Sequence, residues 1–209
     1  MAIDFAAVQR RLAAARLDSG AADGVPGPRT YAALLAFVAS KSAPGPQMLA
    51  LAAGMVAHLP AYVIDANALR LANFLGQTCL ESGGWQWLKE IWGPTAAQKS
   101  YEGRAALGNN QPGDGYRFMG RGLIQITGRA NYAEMGHALG LDLIGNPALA
   151  ETPDIAVLTA CQFWKARGLN ALADQGSDDT ITTRINGGAN GRTERHALVA
   201  RAKQILEGN

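Results

Sequence analysis

The sequence predicts a mainly α-helical protein with at most a small β element. Three observations carry this. Apolar residues recur at steps of three and four along most of the chain, with helix-capping residue types ahead of several runs. Only one stretch, Leu123–Thr127, alternates as a short strand does. The 25 glycines concentrate between Gly83 and Gly145, which implies tight turns and close backbone approach at the centre of the chain.

Taken in order, Asp4 suits the cap of a first helix whose apolar face is Phe5, Val8 and Leu12, ended by Ser19-Gly20. After the turn-rich segment 22–29, Thr30 is the expected cap of a second helix carrying Tyr31, Leu34, Leu35 and Val38. Ser42-Ala43-Pro44-Gly45-Pro46 is a linker, because proline and glycine in that order break any helix. It divides a small helical segment, 1–42, from a larger domain, 46–209. Pro46 suits a first helical position and opens a helix that stops before Pro60. Asp65 is the expected cap of the next, along which Ala68, Leu71, Ala72, Leu75 and Cys79 recur until Gly83-Gly84. Thr95 opens a short helix towards Leu107, and residues 108–122 are loop. Further helices are expected at 130–139, 153–167, 177–186 and 193–206, with Thr152, Ser177 and Thr193 as caps.

Composition removes several function classes. A chain of 209 residues, 48% apolar and with a net charge of +2, buries a sizeable core and is not disordered. Charges, glycine or proline interrupt every apolar run before about 18 residues, so no membrane insertion is expected. Residues 1–11 are amphipathic with Arg10 and Arg11 at the far end, unlike a secretory leader. Cys79 and Cys161 lie in apolar helical runs and are expected as buried thiols. The histidines His58, His137 and His196 are scattered singly, so no metal is expected. Gly120-Arg121-Gly122-Leu123 lacks the third glycine of a dinucleotide fingerprint, and no phosphate loop is present. Arginines cluster at 117–129 and 184–201, yet the overall charge is weak. That fits mild attraction to an anionic polymer better than nucleic-acid binding.

The chemistry centres on Glu81, a carboxylate at the end of an apolar helix beside two glycines. The last helical turn carries partial negative charge, and Leu80 and Trp85 add apolar surroundings. Both disfavour the ionised form and suit a group that must hold a proton in order to donate it. Nine residues on lies Glu90. Two carboxylates can divide acid and base work on a glycosidic bond, and Glu102 competes for the second role. Trp85, Trp87 and Trp92 offer flat faces for sugar rings, with at least one expected in the core. Asn109, Asn110, Gln111, Gln125, Thr127 and Asn186 are neutral groups of the kind that hydrogen-bond sugars.

Four ordered motifs then match a known family: Leu80-Glu81-Ser82-Gly83-Gly84-Trp85, Gly120–Gly128, Asn131-Tyr132 and Ile185-Asn186-Gly187-Gly188. Over about 47–206 they resemble glycoside hydrolase family 19, which contains plant and bacterial chitinases and phage endolysins. Tyr101-Glu102-Gly103-Arg104 and Gln111–Gly115 look most like the phage and prophage members. The resemblance implies a two-lobed, lysozyme-like fold with its cleft between the lobes. It implies Glu81 as general acid and Glu90 as the base that activates water. It implies Gln125, Thr127, Asn131 and Asn186 as residues that bind sugar or orient the water, with Arg195 in the cleft. Trp85 and Tyr101 complete the expected substrate contacts. Two departures are visible: Leu80 stands where many members have histidine, and Thr127 where relatives often carry serine. Residues 1–42 resemble a small helical peptidoglycan-binding module through Val8–Leu12, Asp23–Thr30 and Ala33–Phe37.

The resulting expectation is an endolysin-type glycosidase without cofactor or metal, hydrolysing β-1,4 linkages of peptidoglycan glycan strands as a monomer. It would be made in the bacterial cytoplasm and act at the wall after release. A chitinase, a lytic transglycosylase using one carboxylic acid and a non-catalytic wall-binding protein are the alternatives.

Overall fold

The computed structural model describes residues 2–208; the ends of the two predicted segments, Met1 and Asn209, lie outside it. The described residues form α1 (Phe5–Ala14), α2 (Pro28–Val38), α3 (Pro46–His58), α4 (Ala68–Glu81), α5 (Ala96–Lys99), α6 (Asp114–Arg117), α7 (Arg129–Leu139), α8 (Pro153–Ala166), α9 (Leu169–Asp174), α10 (Asp178–Asn186) and α11 (Arg192–Glu207). The β content is two isolated antiparallel bridges, Lys89 to Arg121 and Arg121 to Ile126. The predicted strand 123–127 is therefore a turn. Gln125 sits at φ 53°, which bends the chain back where a strand would run straight.

Helix starts follow proline more than hydroxyl caps. Proline occupies the first position of α2, α3 and α8, where its missing N–H costs no helical hydrogen bond. Asp4 caps α1 as expected, accepting from Ala7 N at 3.0 Å. Thr30 instead lies inside α2, its hydroxyl donating to Ser19 O at 3.0 Å. Asn67 caps α4 in place of Asp65, accepting from Arg70 N at 2.9 Å; Asp65 accepts from the Tyr31 hydroxyl at 3.2 Å. Gly191 precedes α11, so Thr193 falls within it, and Ser177 makes no side-chain cap. The helix expected after Thr95 stops at Lys99, and α9 is an element the sequence pattern did not reveal.

Two apolar cores follow. The larger gathers Val8, Leu12, Leu34, Leu35, Phe74, Leu75, Trp164 and Val199, so α1 and α2 share it with α4, α8 and α11. The smaller holds Phe118, Ile126, Tyr132, Met135, Leu143 and Ala150. Ile124 and Phe163 pack against both. The helices α4 and α11 meet at Gly76, where an added Cβ would lie 2.9 Å from Val199 N. The Arg11 guanidinium fastens α1 to the end of α11 by donating to Ile205 O and Leu206 O, each at 3.1 Å. Cys79 and Cys161 are free, buried thiols.

Candidate active site

Glu81 is the last residue of α4. Beyond it Gly83, Gly84 and Trp85 all take positive φ, and this left-handed run reverses the chain towards Glu90. Ser82 anchors the reversal by donating to Thr78 O at 2.6 Å and accepting from Trp85 N at 3.0 Å. The Glu81 carboxylate accepts from Arg195 Nη2 of α11. The other terminal nitrogen, Nη1, donates to Gln77 Oε1 at 2.6 Å, one helical turn before Glu81. Gln77 Nε2 in turn donates to Thr182 Oγ1 of α10 at 3.1 Å. The helix-end setting expected for Glu81 is thus present, and a guanidinium with only 5% of its side chain exposed supplies a counter-charge.

Glu90 is held from another direction. Its N–H donates to Gly120 O at 2.9 Å, and its Oε2 accepts from Gly120 N at 3.1 Å. Oε1 accepts from Gln98 Nε2 at 3.0 Å and from the Tyr101 hydroxyl at 3.4 Å. Burial and the adjacent Glu90 push the Tyr101 phenol above its ordinary pKa, so it stays a donor. Tyr101, expected as a substrate contact, thus meets the Glu90 carboxylate. Glu102, the competing base in the sequence, accepts from Gly113 N at 2.7 Å and Gly115 N at 2.9 Å, and so holds a loop.

Gly120 is the meeting point. A Cβ placed there would lie 2.7 Å from Gln125 Oε1, 3.3 Å from Thr127 Oγ1 and 3.4 Å from Glu90 Oε2. The structure thereby brings together Glu90, Gln125 and Thr127, which the sequence separates by up to 37 positions. Thr127 Oγ1 donates to Gln125 O at 2.9 Å, and Asn131 Nδ2 to Thr127 O at 2.7 Å. Gln125, Thr127 and Asn131 line a cavity of about 250 Å³ that also touches Ile124 and Phe163 at the junction of the two cores. Ile185 of α10 lines it as well, beside Asn186, whose amide closes a turn by donating to Asn190 O at 2.7 Å. Glu90 lines a neighbouring groove with Trp87, Trp92 and Tyr116. Glu81 lines neither.

One expected contact is corrected. Trp85 has 1% of its surface exposed and is packed in the larger core. Its large apolar face is more stable among Leu and Phe side chains than in a wet cleft. Trp87, 52% exposed, and the half-buried Trp92 are the tryptophans of this run that line the groove beside Glu90. Gln77 and Gln98 escaped the sequence reading, which named Gly120 only as part of a motif. Gln77 had one usable signal: it stands four residues before Glu81, on the same helix face.

Among the described residues no group of three or more His, Cys, Asp or Glu side chains could hold a metal, and no helix is long and apolar enough to cross a membrane.

The sequence profile of the family described as Chitinase class I, Glyco_hydro_19, matches residues 47–195. A glycosyl hydrolase family 19 domain-containing protein of Haemophilus influenzae is 36% identical over 159 residues, covering 63% of this chain and 78% of that protein. Endochitinase A2 of Pisum sativum is 38% identical over 109 residues, covering 45% of this chain and 31% of the plant enzyme, so the match spans under a third of that relative. Among solved structures, chitinase C from Streptomyces griseus superposes with a TM-score of 0.62 at 25% identity, over 74% of this chain and 68% of that one. The mainly helical, lysozyme-like architecture is thus that of family 19 chitinases. The chain belongs to glycoside hydrolase family 19, a family of glycosidases.

Proposed function

We propose that the chain hydrolyses β-1,4 linkages of bacterial peptidoglycan strands by single displacement, in an endolysin-type role and as a monomer. Glu81 protonates the departing glycosidic oxygen. Glu90 takes a proton from a water that attacks the anomeric carbon on the opposite ring face, giving inversion. Thr127 and Gln125 orient that water, and Asn131 and Asn186 hold sugar substituents. Arg195 keeps the Glu81 carboxyl in place and stabilises the carboxylate left after proton transfer. The observation that carries this reading is the convergence of Glu90 Oε2, Gln125 Oε1 and Thr127 Oγ1 around Gly120. A carboxylate beside an amide and a hydroxyl is the set a base-activated water needs.

The wall glycan is chosen because α1 and α2 carry the module-like motifs, and we assign them a wall-binding role. A second reading, chitin hydrolysis, is supported by the names of the pea and Streptomyces relatives. Mass spectrometry of products from purified sacculi and from chitin oligomers tests both, using wild type, Glu81→Gln and Glu90→Gln. The wall reading expects hydrolytic muropeptides from sacculi and losses of about 10²–10⁴-fold in each variant. Products from chitin alone favour the second reading. Full activity in Glu81→Gln overturns the acid assignment.

A further inference from the structure

The cavity at the junction of the two cores carries one cation, which the displacement does not use. Arg167, the residue after α8, lines it together with Gln125, Thr127 and Asn131. Its guanidinium carbon lies 3.6 Å from the centre of the Phe163 ring, so the flat cation rests on the aromatic face. The Arg167 carbonyl accepts from Arg184 Nη1 at 2.7 Å. Its backbone N–H donates to Phe163 O at 3.1 Å; its guanidinium N–H groups donate to nothing among the described residues, and no carboxylate there comes within 4.0 Å of them. Burial pushes the Arg167 guanidinium below its ordinary pKa, against the opposite pull of Glu134, the one acid in the cavity wall. A solvent-accessible fork of five donors, laid on a ring at the edge of the cavity, is left without an anion.

We propose that Arg167 binds a carboxylate carried by the glycan and so selects muramic-acid strands over neutral N-acetylglucosamine polymers. The hydroxyl and N-acetyl groups common to both polymers are matched by neutral partners in the same wall, Gln125, Asn131 and Gln162. Only the muramic strand adds an anion close to the sugar ring, either on the lactyl ether itself or on the acidic stem peptide that continues it. A planar guanidinium pairs with such a carboxylate through two parallel hydrogen bonds. Because Glu134 offsets the charge of the wall, selection rests on the shape of the fork more than on net charge. The inference rests on the reading of this cavity as the glycan-binding cleft.

The test uses two wall substrates, amidase-stripped glycan strands and strands that keep their stem peptides. Each is assayed before and after carbodiimide amidation of its carboxylates, and chitin oligomers are run beside them. The full chain is compared with Arg167→Gln and Arg167→Lys. Wild type is expected to favour the unblocked strand in kcat/KM by about tenfold, the scale of one charge-assisted hydrogen bond partly open to water. Arg167→Gln loses that preference, and Arg167→Lys keeps part of it. A preference on stripped strands identifies the lactyl carboxylate; one confined to peptide-bearing strands identifies the stem. Equal cleavage of blocked and unblocked strands by wild type, or a preference retained by Arg167→Gln, overturns the role of Arg167 and leaves the wall reading intact. Turnover of chitin oligomers with no cleavage of any wall strand overturns both.

Discussion

Arg195 and Glu81 lock the end of α4 to the start of α11: one guanidinium nitrogen donates to Glu81 while the other donates to Gln77, a turn earlier on the same helix. The cation is buried, and its Nε has no hydrogen-bond partner among the described residues. Removing it would strand a carboxylate and an amide oxygen in a packed interface. Arg195→Met should lower stability by about 3 kcal/mol, as loss of one partner of a buried pair does. Urea denaturation measures this, and Arg195→Lys should recover only part, since an ammonium cannot reach both acceptors in one plane. Glycosidase activity should fall in both variants.

Gly120 gives a prediction that separates activity from stability. The atom an added Cβ meets most closely, Gln125 Oε1 at 2.7 Å, is the end of a flexible side chain. It can move aside at small cost. Gly120→Ala should therefore melt within a few degrees of wild type yet, on the proposed role of Gln125 in orienting the water, lose about 10²-fold in kcat. A wild-type rate in this variant would remove Gln125 from the mechanism.

At Gly76 the balance runs the other way. Alanine gains about 1 kcal/mol in helix propensity over glycine. The new methyl would sit 2.9 Å from Val199 N and 2.5 Å from Val199 Cγ2, and the backbone atom cannot yield without separating α4 from α11. Overpacking should win, with a net loss of about 1–3 kcal/mol. Adding Val199→Ala should not restore the wild-type melting temperature, since the backbone contact remains.

Asp114 sets part of the acid response. Its carboxylate is 1% exposed, accepts from Arg129 Nε at 2.7 Å and Nη2 at 2.5 Å, and also accepts from the Asn110 and Gln111 N–H groups. The Arg129 guanidinium holds this carboxyl below the usual carboxylate range. A lowered folded pKa means the stabilisation is present above the unfolded value of 3.8 and is lost as pH falls through the folded value. Asp114→Asn should cost about 1.5–3 kcal/mol at pH 7. The gap between the wild-type and variant curves should close below pH 3.8. Asp174, held low by Arg70, contributes a similar acid-side loss that the variant retains.

Much of this protein was decided along the chain. The recurrence of Leu71, Leu75 and Cys79 at helical steps, with glycine beyond, was enough to place Glu81 at a helix end, because local spacing and backbone freedom act within one or two turns. The buried thiols followed from the same apolar runs. Caps were less legible: Thr30 and Asp65 have the right chemistry, but Pro28 and Asn67 start those helices, and the choice depends on the backbone conformation that the packed neighbours impose. The 123–127 alternation misled because Gln125 turns the chain back, leaving only the single bridge from Ile126 to Arg121. Only the tertiary structure decided that Trp85 is core while Trp87 is exposed, that Glu102 serves a loop while Glu90 meets Gln125 and Thr127 at Gly120, and that Arg195 grips Glu81. Each of these joins residues on different elements. Their distances are set by how two apolar cores pack against Ile124 and Phe163, and long-range packing of that kind leaves no periodic trace in a single sequence.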